Sequence, residues 1–234
     1  MAGFGADKPC ENYWGTEAHF VGRAVSVEVV DEGDDEEIRL PPFGPRRFQF
    51  EVLESFIGVE GPTAEVWTGM GGGDCGFNFE IGKSYLIYAG RAADGRLHTS
   101  ICGPTRAVSR AADAIAYARQ VAAGTAKTSL YGRVQLKQQM TYMQTDEGGV
   151  AGVTVNVEGP QGQRFSVVTQ NDGSFEIEGQ FTGKYTLRAE APEGLPPVEA
   201  QTVEIQPGQC AGVLLEVPVL GTFTGRIPRE ADDE

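Results

Sequence analysis

The chain is short of positive charge. Among its 234 residues, 19 are Lys or Arg and 33 are Asp or Glu, so the formal net charge is −14. Such a surface repels the phosphates of nucleic acids and of anionic lipids. No apolar run approaches the roughly 20 residues that a membrane-spanning helix needs. The sequence therefore argues against nucleic-acid partners and against membrane insertion.

Residues suited to catalysis are scarce as well. His19 and His98 are the only histidines that could act as a general base, and the sequence contains no Gly-x-Ser-x-Gly motif, no zinc-binding His pair and no Cys-x-x-Cys pair. The glycine run at positions 69–76 lacks the Gly-Lys-Ser/Thr of a phosphate loop, and Asp74 places negative charge where a phosphate would bind. We predict a protein that is not an enzyme and that uses no metal and no cofactor.

The four cysteines are isolated from one another: Cys10, Cys75, Cys102 and Cys210. An even number of isolated cysteines in a loop-rich β-sequence favours disulfides and an oxidising compartment, and four buried reduced thiols are the alternative. The first eight residues have neither the basic start nor the apolar stretch of a signal peptide. We therefore expect a mature or trimmed form of a secreted or cell-surface protein.

The first half alternates between apolar and polar residues in five segments and then changes to a helical period. The five predicted strands are 19–30, 48–56, 64–68, 83–89 and 97–101, and the predicted helix is 109–123. The segment 31–37 carries six carboxylates, which predicts an exposed hairpin loop, with a calcium-binding or partner-steering loop as alternatives. Five strands followed by one helix predict an OB-type Greek-key barrel over residues 1–124.

The second half has a different pattern, with short strands separated by Gly or Pro. Predicted strands begin at Tyr131 and cover 153–157, 164–169, 174–178, 184–189 and 202–205. This spacing predicts an all-β sandwich over residues 130–227 with no helix, followed by a disordered acidic tail at 228–234. The fold class is therefore mainly β, in two domains.

Three segments of the first half resemble the inhibitory domain of the tissue inhibitors of metalloproteinases, a netrin-like OB domain. They are Gly72-Gly-Asp-Cys-Gly76, Ile81-Gly-Lys-Ser-Tyr-Leu-Ile87 and Gly95-Arg-Leu-His-Thr-Ser-Ile-Cys102, and Cys10 followed by Phe20-Val-Gly22 also matches. The resemblance covers about residues 10–120. It implies a bacterial-type, exported binding protein whose partner is a secreted or surface metalloproteinase or another extracellular protein.

The resemblance also implies a mechanism and a site. In that family an N-terminal cysteine offers its amino group and carbonyl oxygen to the protease zinc. Here no Cys-x-Cys precedes Cys10, so the zinc-chelating element is missing from this chain and we expect poor inhibition. The implied protein-binding edge consists of Gly73, Asp74, Cys75, Ser100 and Ile101.

The disulfides are likewise implied by the resemblance. The counterpart of Cys10 pairs beyond the barrel, where Cys210 is the available partner. Cys75 and Cys102, whose usual partners are missing, either form a substitute bridge or stay reduced, and we favour the reduced form.

The second half is similar to the transthyretin-like regulatory domains found beside carboxypeptidases and in bacterial surface proteins. The similarity rests on Gly152-Val-Thr-Val155, Asp172-Gly-Ser-Phe175 and Gly183-Lys-Tyr-Thr-Leu187. Such domains are usually structural or adhesive. A structural or adhesive cell-surface module is therefore one alternative function, and a carbohydrate-binding module that uses Trp14 and Trp67 is another.

Overall fold

A computed structural model describes residues 8–30, 44–71, 73–137, 148–191 and 193–218. The chain divides into two compact units, the first ending at Ala126 and the second beginning at Lys127. The predicted acidic loop at 31–37 and the predicted tail at 228–234 lie outside the described residues. Each unit is described by itself.

The first unit combines strands with two short helices. Its elements are α1 (Pro9–Trp14), β1 (Ala18–Val29), β2 (Arg46–Ile57), β3 (Thr63–Thr68), β4 (Ser84–Arg91), β5 (Leu97–His98), β6 (Arg106–Ala107), a 3₁₀ turn (Val108–Arg110) and α2 (Ala112–Ala122).

Five of these strands close into a barrel. They pair in the order β1-β2-β3-β5-β4. Because β4 also pairs with β1, the sheet closes on itself. The β3–β5 pair is parallel and the other pairs of the barrel are antiparallel. This is the five-stranded OB-type barrel predicted from the sequence, and the prediction of a mainly β fold is confirmed.

Aromatic side chains fill the barrel. Phe20, Phe48 and Phe50 are fully buried, because alternate residues of β1 and β2 point inward. The rings of Phe48 and Phe50 each lie 5.0 Å from the ring of Phe79, which enters from the loop after β3. Edge-on packing of this kind stabilises a core beyond the area that it buries.

The boundaries and elements of the first unit differ in part from the sequence expectations. The fifth strand ends at His98 rather than at residue 101, and α2 begins at Ala112 after the 3₁₀ turn rather than at residue 109. His19, the first residue of the predicted first strand, is the second residue of β1 and is fully buried. The helix α1 was not predicted, since its six residues are too few to show a helical period, although Pro9 suits a first helical position.

The second unit is an all-β sandwich, as predicted. Its strands are β7 (Thr128–Lys137), β8 (Thr154–Glu158), β9 (Arg164–Val168), β10 (Ser174–Gly179), β11 (Gly183–Ala189), β12 (Gln201–Ile205) and β13 (Cys210–Pro218). They form two sheets, of order β10-β7-β13 and β12-β11-β8-β9. In the described part of this unit the one helical segment is a 3₁₀ turn at Pro160–Gly162.

The parallel pairing of β13 with β7 was not predicted. It depends on Gly132 of β7, where a Cβ atom would lie 2.1 Å from the backbone oxygen of Val213 and 2.7 Å from the ring of Phe175. Only glycine lets β7 approach both neighbours so closely. The core between the sheets includes Leu130, Tyr185 and Leu215, each at most 1% exposed.

Candidate functional site

Two loops meet at one end of the barrel and form the surface that we call the rim. The rim consists of residues 69–71 and 73–76, after β3, and residues 99–105, after β5. The backbone N–H of Ile101 donates to the carbonyl oxygen of Cys75 across 2.9 Å, and the thiols of Cys75 and Cys102 lie close enough to interact electrostatically. All five residues of the expected protein-binding edge lie on these two loops.

The first rim loop is organised around the carboxylate of Asp74. This carboxylate accepts hydrogen bonds from the backbone N–H groups of Met70 at 2.6 Å, Gly71 at 2.9 Å and Gly76 at 3.2 Å. These bonds, the one from Met70 above all, hold the pKa of Asp74 below its usual value. Asp74 therefore acts as an acceptor that shapes the loop.

The glycines of this loop allow its backbone to fold tightly on itself. A Cβ atom on Gly76 would lie 2.2 Å from the carbonyl carbon and oxygen of Gly69. Cys75, just before it, adopts a left-handed conformation with φ of 58°, which is unfavourable for a residue with a side chain. The glycine run thus gives the loop a compact shape in addition to conformational freedom.

Arg46 holds the base of the same loop, a role that the sequence did not indicate. Its guanidinium donates to the carbonyl oxygen of Gly69 at 2.9 and 3.0 Å, to that of Phe77 at 3.2 Å and to Oδ1 of Asn78 at 3.0 Å. Arg46 lies 23 residues before Gly69. No local motif signals a contact over that separation.

The second rim loop is fixed by two buried threonines. The hydroxyl groups of Thr99 and Thr105 lie 2.8 Å apart, and both donate to the carbonyl oxygen of Tyr88 in β4, at 2.9 and 3.0 Å. The hydroxyl of Thr105 also accepts the backbone N–H of Tyr88 at 2.9 Å. These bonds occupy the backbone groups of Tyr88 that a longer β5 would pair with in β4, whereas the backbone N–H of Thr99 still donates to the carbonyl oxygen of Trp67 in β3 at 3.0 Å.

The outer part of the rim is exposed to solvent. Ile101 is 57% exposed at the tip of the second loop, Gly73, Asp74 and Cys102 are exposed, and Cys75 and Ser100 are half-buried. Ile101 is one of nine large apolar side chains that are exposed among the described residues, and it is the one that lies on the rim.

A cleft of about 400 Å³ beside the rim is lined by Asp74, His98 and Ser100, among others. These three residue types also make up hydrolase triads, so their hydrogen bonds matter. Asp74 accepts backbone N–H groups, and Oγ of Ser100 accepts the backbone N–H of Cys102 at 3.2 Å. Among the residues that the structure describes, no hydrogen bond joins His98 to Asp74 or Ser100, so a triad is not assembled.

Both tryptophans interact with neighbouring side chains. Trp67 is 6% exposed, the guanidinium of Arg96 lies 4.4 Å above its ring, and its indole N–H donates to Glu65 at 2.7 Å. Trp14, 36% exposed, donates to the hydroxyl of Tyr117 at 3.0 Å. The face of Trp67 is therefore covered, which removes it as a platform for a sugar.

The cysteines fall into two classes. Cys10 and Cys210 are disulfide-bonded, whereas Cys75 and Cys102 are free thiols. The second bridge between Cys75 and Cys102 is not formed in the structure. Within the described ranges, no group of three or more His, Cys, Asp or Glu side chains could hold a metal ion. No helix in the described part of the chain is long and apolar enough to cross a membrane.

No family model matches the chain, and no curated protein matches it. Among solved structures it is similar to a DUF3823 family protein from Parabacteroides merdae, with 24% identity and a TM-score of 0.28 over 39% of this chain and 46% of that one. It is also similar to GBS52, the minor pilin of Streptococcus agalactiae, with 12% identity and a TM-score of 0.34 over 92% and 88% of the two chains. The Bacillus anthracis TIE protein gives 12% identity and a TM-score of 0.33 over 87% and 31%. The chain spans less than half the length of the first of these structures, and none of these TM-scores is high enough to carry an argument about function.

Proposed function

We propose that this chain is an exported, non-catalytic binding module of the structural or adhesive kind, which binds another extracellular protein through the rim. The observation that carries the proposal is the rim itself: two loops, each fixed by its own hydrogen-bond network, that display Ile101 to solvent. Loops that are already ordered lose little conformational entropy when a partner binds.

Two further observations support the proposal. Cys10 and Cys210 are disulfide-bonded, and disulfides persist mainly in oxidising compartments such as the cell exterior. The residues of the cleft beside the rim that could take part in hydrolysis are used for loop structure instead, as the bonds of Asp74 and Ser100 illustrate. The first feature fits an extracellular protein, and the second fits a protein that binds its partner without converting it.

A binding experiment with a charge placed on the rim tests this function. The probes are immobilised fibronectin and collagen, as representative adhesion partners, and the catalytic domain of a zinc metalloproteinase. We expect the native chain to bind a matrix protein and Ile101→Asp to weaken that binding at least about tenfold, since a buried charge at an interface is costly.

The matched control is Ile81→Asp, because Ile81 is 51% exposed and lies on the barrel outside the rim. This variant should bind like the native chain. Absence of binding to both matrix proteins, or equal binding by the native chain and Ile101→Asp, would count against the rim as an adhesive surface.

Metalloproteinase inhibition is the second candidate. It is favoured by the closed five-stranded barrel that carries Cys75 and Cys102 side by side on its rim. The described residues that precede the barrel do not offer a chelating wedge, since Cys10 is buried in α1 and disulfide-bonded. We therefore expect weak inhibition in the metalloproteinase arm of the experiment, and tight, zinc-dependent inhibition would replace the adhesive function with this one.

A further inference from the structure

Two free thiols stand next to each other on the rim. Cys75 and Cys102 come from different loops, the bond from Ile101 N–H to the Cys75 carbonyl oxygen at 2.9 Å joins the adjacent backbones, and the two thiols lie close enough to interact electrostatically. We propose that Cys75 and Cys102 form a reactive dithiol that low-molecular-weight disulfides oxidise to an intramolecular disulfide. This inference concerns the chemistry of the rim and does not depend on the proposed binding function.

Adjacency of the two sulfurs is maintained by the networks around them. The bonds of Asp74 fix the loop that carries Cys75, and the paired hydroxyls of Thr99 and Thr105 fix the loop that carries Cys102. Two reactive groups that are held together react with each other far faster than with groups in solution. The attack of Cys75 on a mixed disulfide at Cys102 is therefore expected to be faster than attack by an external thiol.

The difference in exposure sets the order of events. Cys102 is exposed and Cys75 is half-buried, so Cys102 is the thiol that an external disulfide meets first. Interaction with the Cys102 thiol also raises the pKa of the Cys75 thiol. Cys75 then acts as the resolving thiol.

The chemistry balances without a metal or another cofactor. The Cys102 thiolate attacks an external disulfide RSSR, forms a mixed disulfide with one RS group and releases the other as RS⁻. The Cys75 thiolate next attacks the Cys102 sulfur, forms the Cys75–Cys102 bond and releases the second RS⁻. The two protein thiols lose two protons and two electrons, and RSSR is reduced to two molecules of RSH.

Ellman's reagent, an aromatic disulfide, tests this sequence of steps in the native chain without added reductant. The disulfide-bonded Cys10 and Cys210 contribute no thiol. We expect each chain to release two thionitrobenzoate ions, to retain none, and to become lighter by two hydrogens in the mass spectrum. Proteolysis should then yield a peptide that links Cys75 to Cys102.

Single variants separate the two roles. In Cys75→Ser the resolving thiol is missing, so the chain should release one thionitrobenzoate and retain one on Cys102. In Cys102→Ser the half-buried Cys75 should react with Ellman's reagent several-fold more slowly than Cys102 does in Cys75→Ser. Should Cys75→Ser fail to give the native circular dichroism spectrum, Cys75→Ala serves in its place.

Two results would overturn the proposal. Retention of thionitrobenzoate on both cysteines of the native chain would show that the sulfurs do not meet, and absence of reaction at Cys102 would show that this thiol is not accessible.

Discussion

At the scale of single residues, His19 is the most unusual group in the barrel. It is fully buried, and both of its ring nitrogens lack a hydrogen-bond partner within the described residues. Its ring stacks on Tyr88 at 4.1 Å and lies 5.0 Å from Tyr13 and 5.1 Å from Phe56. Burial among these rings lowers the pKa of His19 to about 4, because the charged form cannot be solvated there.

This shift makes the stability of the barrel sensitive to acid. An unfolded histidine titrates near pH 6.5, so the unfolded chain takes up a proton at a higher pH than the folded chain does. The stabilisation is therefore complete above about pH 6.5 and is lost as the pH falls towards the folded pKa. The free energy of unfolding of the native chain should fall between pH 7.5 and pH 4.5, and His19 accounts for about 2 kcal/mol of this decrease. We expect the decrease to be smaller by this amount in His19→Phe.

Urea denaturation at the two pH values, followed by tryptophan fluorescence, measures the effect. The control is His98→Gln, which removes the other histidine of the chain, a half-exposed one. It should keep the native pH dependence. If His19→Phe unfolds with the same pH dependence as the native chain, the source of the acid sensitivity lies elsewhere.

At the scale of elements, the strands were predictable and the rim was not. Alternation in β1 and β2 comes from residues such as Phe20, Phe48 and Phe50, whose inward positions are visible in the sequence with a period of two. The rim depends on contacts between distant segments: Arg46 with Gly69, and Thr99 and Thr105 with Tyr88. Thr99 has a high strand propensity, which predicts that β5 continues through it, whereas its hydroxyl binds the carbonyl oxygen of Tyr88 that a longer β5 would pair with.

The same distinction applies to the candidate site. The family resemblance implied that Gly73 and Asp74 belong to a protein-binding edge, and the glycine run itself indicates a loop, because glycine permits conformations that other residues avoid. That Asp74 accepts three backbone N–H groups could not be predicted, since the fold of the loop decides where its carboxylate lies.

Asp74 offers a test of how the first rim loop is ordered. In Asp74→Asn the amide keeps one acceptor oxygen, but its NH₂ group replaces the oxygen that faces the N–H of Met70. We expect the amide hydrogen of Met70 to exchange at least about tenfold faster, as loss of a hydrogen bond to a charged group shifts a local equilibrium by about this factor. Hydrogen exchange followed by nuclear magnetic resonance measures this rate at each residue.

Acid should produce the same loosening in the native chain. Since the folded pKa of Asp74 is depressed, its carboxylate orders the loop above about pH 4 and releases it as the pH falls through the folded pKa.

Asp94→Asn is the control for Asp74→Asn, because Asp94 accepts the backbone N–H of Arg96 in a different turn. Unchanged exchange at Met70 in Asp74→Asn would mean that Arg46 and the glycines suffice to order the loop.

At the scale of the whole molecule, the chain has separate hydrophobic cores. One cluster, which includes Leu130 and Leu215, belongs to the sandwich, and two clusters, which include Phe50 and Leu86, belong to the barrel unit. Both tryptophans of the chain, Trp14 and Trp67, lie in the barrel unit. Tryptophan fluorescence therefore reports on the barrel, whereas far-ultraviolet circular dichroism reports on both units.

A pair of matched core substitutions uses this separation. Leu215 and Leu86 are both fully buried, the first in the sandwich and the second in the barrel unit. Each Leu→Ala change should cost about 3 kcal/mol in its own unit, through lost burial and the cavity left behind. We expect Leu86→Ala to lower the denaturation midpoint seen by tryptophan fluorescence, and Leu215→Ala to lower a transition seen by circular dichroism while the fluorescence midpoint stays in place. Equal shifts of the fluorescence midpoint in the two variants would show that the units unfold as a single cooperative body, and the pH dependence assigned to His19 would then be a property of the entire chain.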